Sequence, residues 1–357
     1  MKRPALLPAV FLRAIVARTE AIPPKKPNVM GKRMLNAAIV GLGRWGQTLV
    51  ESVQGKSDTI KFTAGIARTP AKVRDFTTKH GLTLDSDYAA MLKDASIDAV
   101  VLATPHQQHA DQIVAAAAAG KHIFVEKPFT LTKASAEAAV AAAEKAGLVL
   151  ALGHNRRFLP SIRELKSRIE NGALGTILHI ETNHSGASGL HFPVGNWRTS
   201  RSESPAGGMG AMGIHMVDMM INLMGPMTEV RAISLRRAIA HDIDDTTSML
   251  FRFKEGMTGY LVTLAATTPT QRIEVFGTKG AVEIRNERHF TYRPIDGVPE
   301  TKTYPNFDKE RAELEAFADA VNGKAPYPLP TVEAIHGIAA FEAIVKSAET
   351  DKPVAIT

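Results

Sequence analysis

The stretch Leu35–Gly46 constrains this chain more than any other. Its run Ala37-Ala38-Ile39-Val40 has no polar alternation and reads as a strand buried on both faces, as in a parallel sheet. The run leads straight into Gly41-x-Gly43-x-x-Gly46, and a helix-compatible segment, Trp45–Gln54, follows. In that order each glycine has a physical role. Gly41 turns the chain off the strand, Gly43 lets backbone approach a pyrophosphate, and Gly46 lets the helix lie close on the sheet. The helix start then presents unpaired N–H groups and a partial positive charge to phosphate. Glycine-rich turns are common, so it is the strand–turn–helix context that makes this a dinucleotide signature. Gly41, Gly43, Arg44, Trp45 and Gly46 are the expected cofactor contacts.

Downstream the chain alternates strands and helices as a doubly wound α/β sheet requires. Strands are predicted at Ile60–Ala67, Ile97–Ala103, Lys121–Val125 and Leu148–Leu152. Helices are predicted at Pro70–His80, Ser86–Leu92, His106–Ala119 and Lys133–Ala146, three of them stopping at Gly81, Gly120 and Gly147. A Rossmann-type domain is therefore expected over 35–152. The pattern then changes. Helix Ser161–Asn171 and strand Gly175–Asn183 precede an irregular stretch from His184 to Pro205, and a Met-rich helix over Met209–Met224 follows. Strands Glu229–Arg236, Thr246–Phe253, Thr258–Leu264, Arg272–Phe276 and Ala281–Arg285 form a meander, and helices Lys309–Val321 and Val332–Ala348 close the chain. Residues 153–357 thus read as a second, α+β domain.

Composition removes several function classes. Without cysteine there is no disulfide, thiolate nucleophile or thiolate metal site. The net charge of +7 resides wholly in residues 1–34, which hold eight basic residues and one acid. The remainder is balanced, which argues against a nucleic-acid face. Leu6–Val16, broken by Pro8 and Arg13, is too short for a membrane span and poor for a secretory core. Pro23-Pro24-Lys25-Lys26-Pro27 suits a disordered or mis-assigned extension, with Met30 or Met34 as the natural start, and a cytoplasmic location is expected. No His–carboxylate spacing suggests a metal.

The end of the second strand bears on cofactor choice. It reads Gly65-Ile66-Ala67-Arg68-Thr69, with no carboxylate for a ribose 2′-hydroxyl. Arg68 and Thr69 instead suit a 2′-phosphate, so NADP is favoured over NAD.

Further motifs lie just past strand ends: Thr104-Pro105-x-x-x-His109, Glu126-Lys127-Pro128 and Gly153-His154-Asn155-Arg156-Arg157-Phe158. Ala119-Gly120-Lys121-His122-Ile123, Gly213-x-His215-x-x-Asp218 and Ile273-Glu274-Val275-Phe276-Gly277-Thr278-Lys279-Gly280 complete the set. Together with the glycine motif, these make the chain from Leu35 onward resemble the glucose–fructose oxidoreductase / inositol dehydrogenase / MocA family. The resemblance implies a second domain with a large open, mainly antiparallel sheet whose exposed face pairs subunits into a dimer or tetramer. It implies a cis Lys127–Pro128 bond, with Lys127 as acid/base at the nicotinamide and substrate hydroxyl, and His215 as its partner. Thr104, Pro105, His109 and Glu126 would join the cofactor contacts. Arg156, His191, Trp197, Arg198 and Asp218 would bind substrate, with Asp218 orienting His215.

An ammonium in a dry pocket beside an oxidised nicotinamide loses its proton more readily, which suits this role. One position departs from the pattern: where many such dehydrogenases carry aspartate four residues before the histidine, this chain has Ala211. The expected activity is oxidation or reduction of a sugar, polyol or related hydroxylated ring, with His106 or His154 as candidate substitutes for the missing carboxylate. The alternatives are a dinucleotide-binding sensor without turnover and an NAD-assisted glycoside hydrolase.

Overall fold

The computed structural model describes residues 33–193 and 195–357, so the expectations placed on the first 32 residues lie outside the described part. The chain begins with β1 (Leu35–Val40), α1 (Arg44–Val53), β2 (Ile60–Ile66), α2 (Arg74–His80), β3 (Thr83–Asp85) and α3 (Tyr88–Leu92). It continues through β4 (Ala99–Leu102), α4 (His109–Ala118), β5 (His122–Val125), α5 (Lys133–Lys145), β6 (Leu150–Leu152) and α6 (Pro160–Glu170). Then come β7 (Ile177–Ser185), α7 (Gly213–Met224), β8 (Met227–Leu235), β9 (Thr246–Phe253), β10 (Thr258–Leu264) and β11 (Thr270–Gly277). The last elements are β12 (Gly280–Arg285), β13 (His289–Pro294), β14 (Glu300–Thr303), α8 (Lys309–Val321), α9 (Thr331–Thr350) and β15 (Val354–Ala355).

Six strands form one parallel sheet in the order β3-β2-β1-β4-β5-β6. The chain winds outward from β1 on both sides, so the connections after β1 and β4 diverge and leave a crevice at the carboxyl edge, where such sheets take ligands. The second sheet has nine strands, β14-β13-β12-β11-β7-β10-β9-β8-β15, with β7 and β10 parallel and all other pairs antiparallel. One face buries a methionine-rich core under α7 and α9, including Met216, Met219, Met220 and Met224. Helix α8 returns to the first sheet. Its Leu314, Phe317 and Ala318 are buried with β1 and β5 residues, and Phe317 meets the Phe124 ring at 5.8 Å.

The departures from the predicted elements are local. The helix expected from Pro70 is a 3-10 turn over Pro70–Lys72 before α2 begins at Arg74. The Met-rich helix starts at Gly213, because Gly207–Met209 is a separate 3-10 turn. Gly207 has φ of +60° there, and a Cβ on it would fall 1.9 Å from the Asp244 carbonyl oxygen. Strands β3, β14 and β15 have two to four residues and no fully buried side chain. They carry no apolar period to read, and they pair at sheet edges.

Candidate active site

The carboxyl edge of the first sheet opens into a cleft of about 1610 Å³ that also takes walls from β7, the 186–203 loop and α7. Gly41, Gly43, Arg44 and Trp45 line one side. A Cβ on Gly46 would lie 2.1 Å from the Gly41 carbonyl oxygen, and one on Gly41 2.6 Å from that of Ala103. A Cβ on Gly43 would meet nothing within 4 Å. Two glycines are therefore packing positions, while the third leaves an open cradle at the N-terminus of α1. No side chain caps that helix and no acid stands in its first turn, so the cradle fits a pyrophosphate.

Arg68, Thr69, Lys72 and Ser86 line the far end of the same cleft. No carboxylate lines that end: Asp85 turns its Oδ1 back to accept the N–H groups of Ser86 and Asp87 at 2.6 and 3.1 Å.

Thr104 and Pro105 line the floor, and the Thr104 hydroxyl meets Gln112 Oε1 at 2.6 Å. His109, expected as a cofactor contact, does not line the cleft. It is fully buried, with Nδ1 2.9 Å from the Pro128 carbonyl oxygen and Nε2 3.0 Å from that of Thr104. Burial lowers its pKa, and a neutral imidazole carries one N–H, so the ring donates to one of these carbonyls while wedged between the β4 loop and the turn that carries Lys127.

That turn has a cis Lys127–Pro128 peptide. Lys127 reaches across the cleft and donates from Nζ to the Ala211 carbonyl oxygen at 3.0 Å. Burial depresses its pKa to about 8; Glu126 opposes the shift, while Arg156 and Arg198 add to it. Burial pushes the Glu126 carboxyl up, against the pull of Trp45 and Lys127.

His215 lines the cleft from the first turn of α7 and is buried, with Nδ1 lacking a hydrogen-bond partner. Its ring packs 5.8 Å from His184 and 6.1 Å from His154. Burial holds all three imidazoles neutral, with His184 near 3 and His154 near 4, and His215 is held well below its ordinary value, with Arg156 the next cause.

The expected Asp218–His215 contact does not form, and Asp218 does not line the cleft. Its carboxylate is gripped by Arg157, with Nε 3.0 Å from both oxygens and Nη2 2.6 Å from Oδ1. Asp218 therefore anchors α7 to the 155–158 turn, and His154 Nδ1 lies 3.7 Å from it. Arg156 lines the cleft and pairs with Glu287 at 3.1 Å. Trp197 and Arg198 line it from the loop, whereas His191 is exposed and does not line it, although its neighbours Ser188 and Phe192 do.

His184, Glu203 and Glu310 are among the lining residues that escaped the sequence reading. His184 follows Ile180 and Thr182 on the inward parity of β7, a signal the two-residue period does contain. Glu203 and Glu310 carried no signal, since one lies in an irregular loop and the other on an ordinary charged helix face. Among the described residues, no group of three His, Asp or Glu side chains is placed to hold a metal, and no helix is long and apolar enough to cross a membrane.

A glycine cradle at the head of a parallel sheet, facing a buried lysine and histidine, defines the class: a nucleotide-binding oxidoreductase scaffold. Comparison with known proteins agrees. Residues 35–154 match an oxidoreductase family with an NAD-binding Rossmann fold, and residues 162–283 match the GFO/IDH/MocA C-terminal domain. Oxidoreductase YrbE of Bacillus subtilis is 30% identical over 315 residues, covering 83% of this chain and 89% of that one. Myo-inositol 2-dehydrogenase of Thermotoga maritima is 30% identical over 270 residues, covering 72% and 77%. In fold, the aldose-aldose oxidoreductase of Caulobacter crescentus superimposes with a TM-score of 0.82 at 24% identity, over 90% of this chain and 100% of the other. The chain belongs to the Gfo/Idh/MocA family of oxidoreductases.

Proposed function

We propose that this protein is an NADP-preferring dehydrogenase or reductase acting on a CH–OH group of a sugar, polyol or related hydroxylated ring. The observation that carries the reading is Lys127, whose buried amine faces the nucleotide crevice beside His215 with a depressed proton affinity. The bound dinucleotide supplies the redox chemistry. Gly43 and the first turn of α1 would hold its pyrophosphate, Thr104 and Pro105 would flank the ring end, and Arg68 with Thr69 would meet a 2′-phosphate. Lys127 takes the hydroxyl proton in oxidation and returns it in reduction. His215, neutral and with a free ring nitrogen, holds the same oxygen. Relatives in the family bear the names of inositol dehydrogenases, which supports a cyclic polyhydroxylated substrate.

Assembly belongs to the same reading. No helix of the described residues covers the outer face of the second sheet, where Ile233 and Leu250 are 52% and 59% exposed. A second copy of the chain would cover it, giving a dimer or tetramer. Leu250→Glu should then lower the mass measured by light scattering.

The deciding experiment follows reduced-nicotinamide absorbance across a sugar and polyol screen with NADP and NAD. A net change marks the dehydrogenase. Product without net change marks the glycoside hydrolase, and binding without product marks the sensor. Lys127→Ala should abolish turnover and leave dinucleotide affinity largely intact, and ordinary turnover in that variant would remove Lys127 from the mechanism. Arg68→Ala should weaken NADP by about 10- to 100-fold relative to NAD; an unchanged ratio would refute the NADP assignment.

A further inference from the structure

The turn that joins β12 to β13 is built against its own backbone preference. Asn286 and Glu287 have φ of +48° and +64°, and the Arg288 N–H donates to the Arg285 carbonyl oxygen at 3.1 Å, which makes a type I′ turn. Asparagine suits the first of these positions, but the second favours glycine, and a glutamate there is strained. The turn is held from α6, where Ser161 Oγ donates to the Glu287 carbonyl oxygen at 2.5 Å. Strain of this kind persists where the side chain is needed for something else. Here it delivers a carboxylate to the rear of the cleft.

Glu287 does not line the cleft, yet it holds two cations that do. Its Oε1 is 3.1 Å from Arg156 Nε, and its Oε2 accepts from Lys309 Nζ at 2.8 Å. Burial opposes its ionisation, but Arg156 and Lys309 outweigh burial and hold the carboxyl below its ordinary range. The same Oε1 is 3.2 Å from Gln271 Nε2, and that amide nitrogen is 3.4 Å from Nε2 of His184, its cross-strand partner on β7. A carboxylate only accepts, so Gln271 presents its NH2 group to both neighbours. His184 Nε2 must then accept, which excludes the imidazolium and puts the ring proton on Nδ1, 3.0 Å from the Met212 carbonyl oxygen. That carbonyl also takes the backbone N–H of His215 at 3.2 Å, and the carbonyl before it, of Ala211, binds Lys127. Both groups of the proposed proton transfer thus hang on one turn, which the chain Glu287–Gln271–His184 braces from the second sheet.

We propose that Glu287 is a positioning residue for the reaction: its carboxylate balances Arg156 and Lys309 behind the cleft and, through Gln271, holds His184 as the neutral ring that fixes the start of α7. This rests on the dehydrogenase reading above and deepens it. Lys127 is faced by Glu126 beside it, by Arg156 from the 155–158 turn, by Arg198 from the 186–203 loop, and by the neutral rings of His106, His154, His184 and His215. Arg156 is the one of these that Glu287 pairs with. Removing the Glu287 charge leaves Arg156 uncompensated, so Lys127 gives up its proton more readily.

The test uses the full chain and the near-isosteric Glu287→Gln, with Glu287→Asp and Gln271→Met beside it. The Lys127 midpoint is read twice: from kcat/KM for myo-inositol oxidation, and without substrate from NADP affinity against pH, by tryptophan fluorescence. The oxidised nicotinamide is positively charged and binds tighter once the amine is free, and this second reading decides where myo-inositol is not turned over. Glu287→Gln should move the midpoint to the acid side by about half a unit or more, and lower kcat about tenfold with KM within about threefold. Gln271→Met keeps the carboxylate on Arg156, so it should leave the midpoint in place and lower kcat alone. Glu287→Asp tolerates positive φ and keeps the charge, and should stay closer to wild type than Glu287→Gln. A Glu287→Gln protein that melts earlier but keeps the wild-type midpoint would overturn the proposal, leaving Glu287 a part of the turn alone. A midpoint that shifts as far in Glu287→Asp as in Glu287→Gln would overturn it too, as would wild-type kcat in Gln271→Met. Failure of the parent reading looks different, since the wild type would then bind no dinucleotide, or bind NADP with an affinity that is flat across the pH range.

Discussion

Replacing Ala211 by aspartate should move the pH dependence of catalysis to the alkaline side. Lys127 Nζ sits 3.0 Å from the carbonyl oxygen of that residue, so a carboxylate on the same residue would stand roughly 4–6 Å from the ammonium. An opposite charge at that range raises a lysine by about 1–3 units, here from the value of about 8 that burial imposes. Oxidation needs the free amine. At pH 7.5 about a quarter of the wild type would have it, against roughly one in thirty after a one-unit rise and one in three hundred after two. The kcat/KM for alcohol oxidation, followed by reduced-nicotinamide absorbance between about pH 6 and 10, should rise through a midpoint near pH 8 in the wild type and level off about one unit above it. In Ala211→Asp the midpoint should lie at least about one unit higher, with neutral-pH oxidation down by about eightfold or more. Carbonyl reduction, which uses the ammonium, should survive to higher pH. Ala211→Asn adds similar bulk without charge and should leave the midpoint in place. Superimposable profiles for wild type and Ala211→Asp would show that Lys127 is not the titrating group.

Other outcomes can be read without a substrate. Gly43→Ala should weaken dinucleotide binding by about tenfold or more while leaving the melting temperature unchanged, because its Cβ meets only the open cradle; Gly46→Ala should instead lower stability, its Cβ overlapping the Gly41 carbonyl. Glu313 on α8 is fully buried with neither carboxylate oxygen bonded, and burial, with Glu126 and Glu310 adding to it, raises its pKa well above the ordinary value. Its folded form holds a proton that the unfolded chain gives up, so stability is full below the ordinary carboxyl range and falls as pH rises, by up to about 1.4 kcal/mol per unit. Denaturant melts should show Glu313→Gln more stable than wild type at alkaline pH and less dependent on pH; parallel curves would refute this. Asp218→Asn should cost about 3–5 kcal/mol in the same melts by leaving Arg157 buried without its main partner.

The first sheet was legible because its signals are local. A buried run, a glycine turn and a capping glycine each sit within a dozen residues, and the strand order follows from short right-handed connections. Lys127 could be named because Glu126-Lys127-Pro128, just past β5, resembles a motif of the family; its position after a strand alone would have read as a surface lysine. What escaped depends on distant pairings. Asp218 was expected beside its helix neighbour His215, but Arg157, which is 61 positions away in sequence, captures it. A bidentate buried ion pair outweighs proximity along a helix. His109 was expected as a ligand from its motif, but a histidine just past a strand end can also turn inward and pack between two backbone carbonyls, donating to one of them. His191 shares a loop with Trp197, yet an irregular segment has no period to say which side chains face in.

The reactivity proposed for Lys127 therefore belongs to neither sheet alone. The lysine comes from the end of β5, the carbonyl it binds from the residue four before His215, and the charges that depress it from Arg156 and Arg198, both later than β6 in the chain. Without those later residues the end of β5 would face water, and the amine would keep an ordinary affinity for its proton.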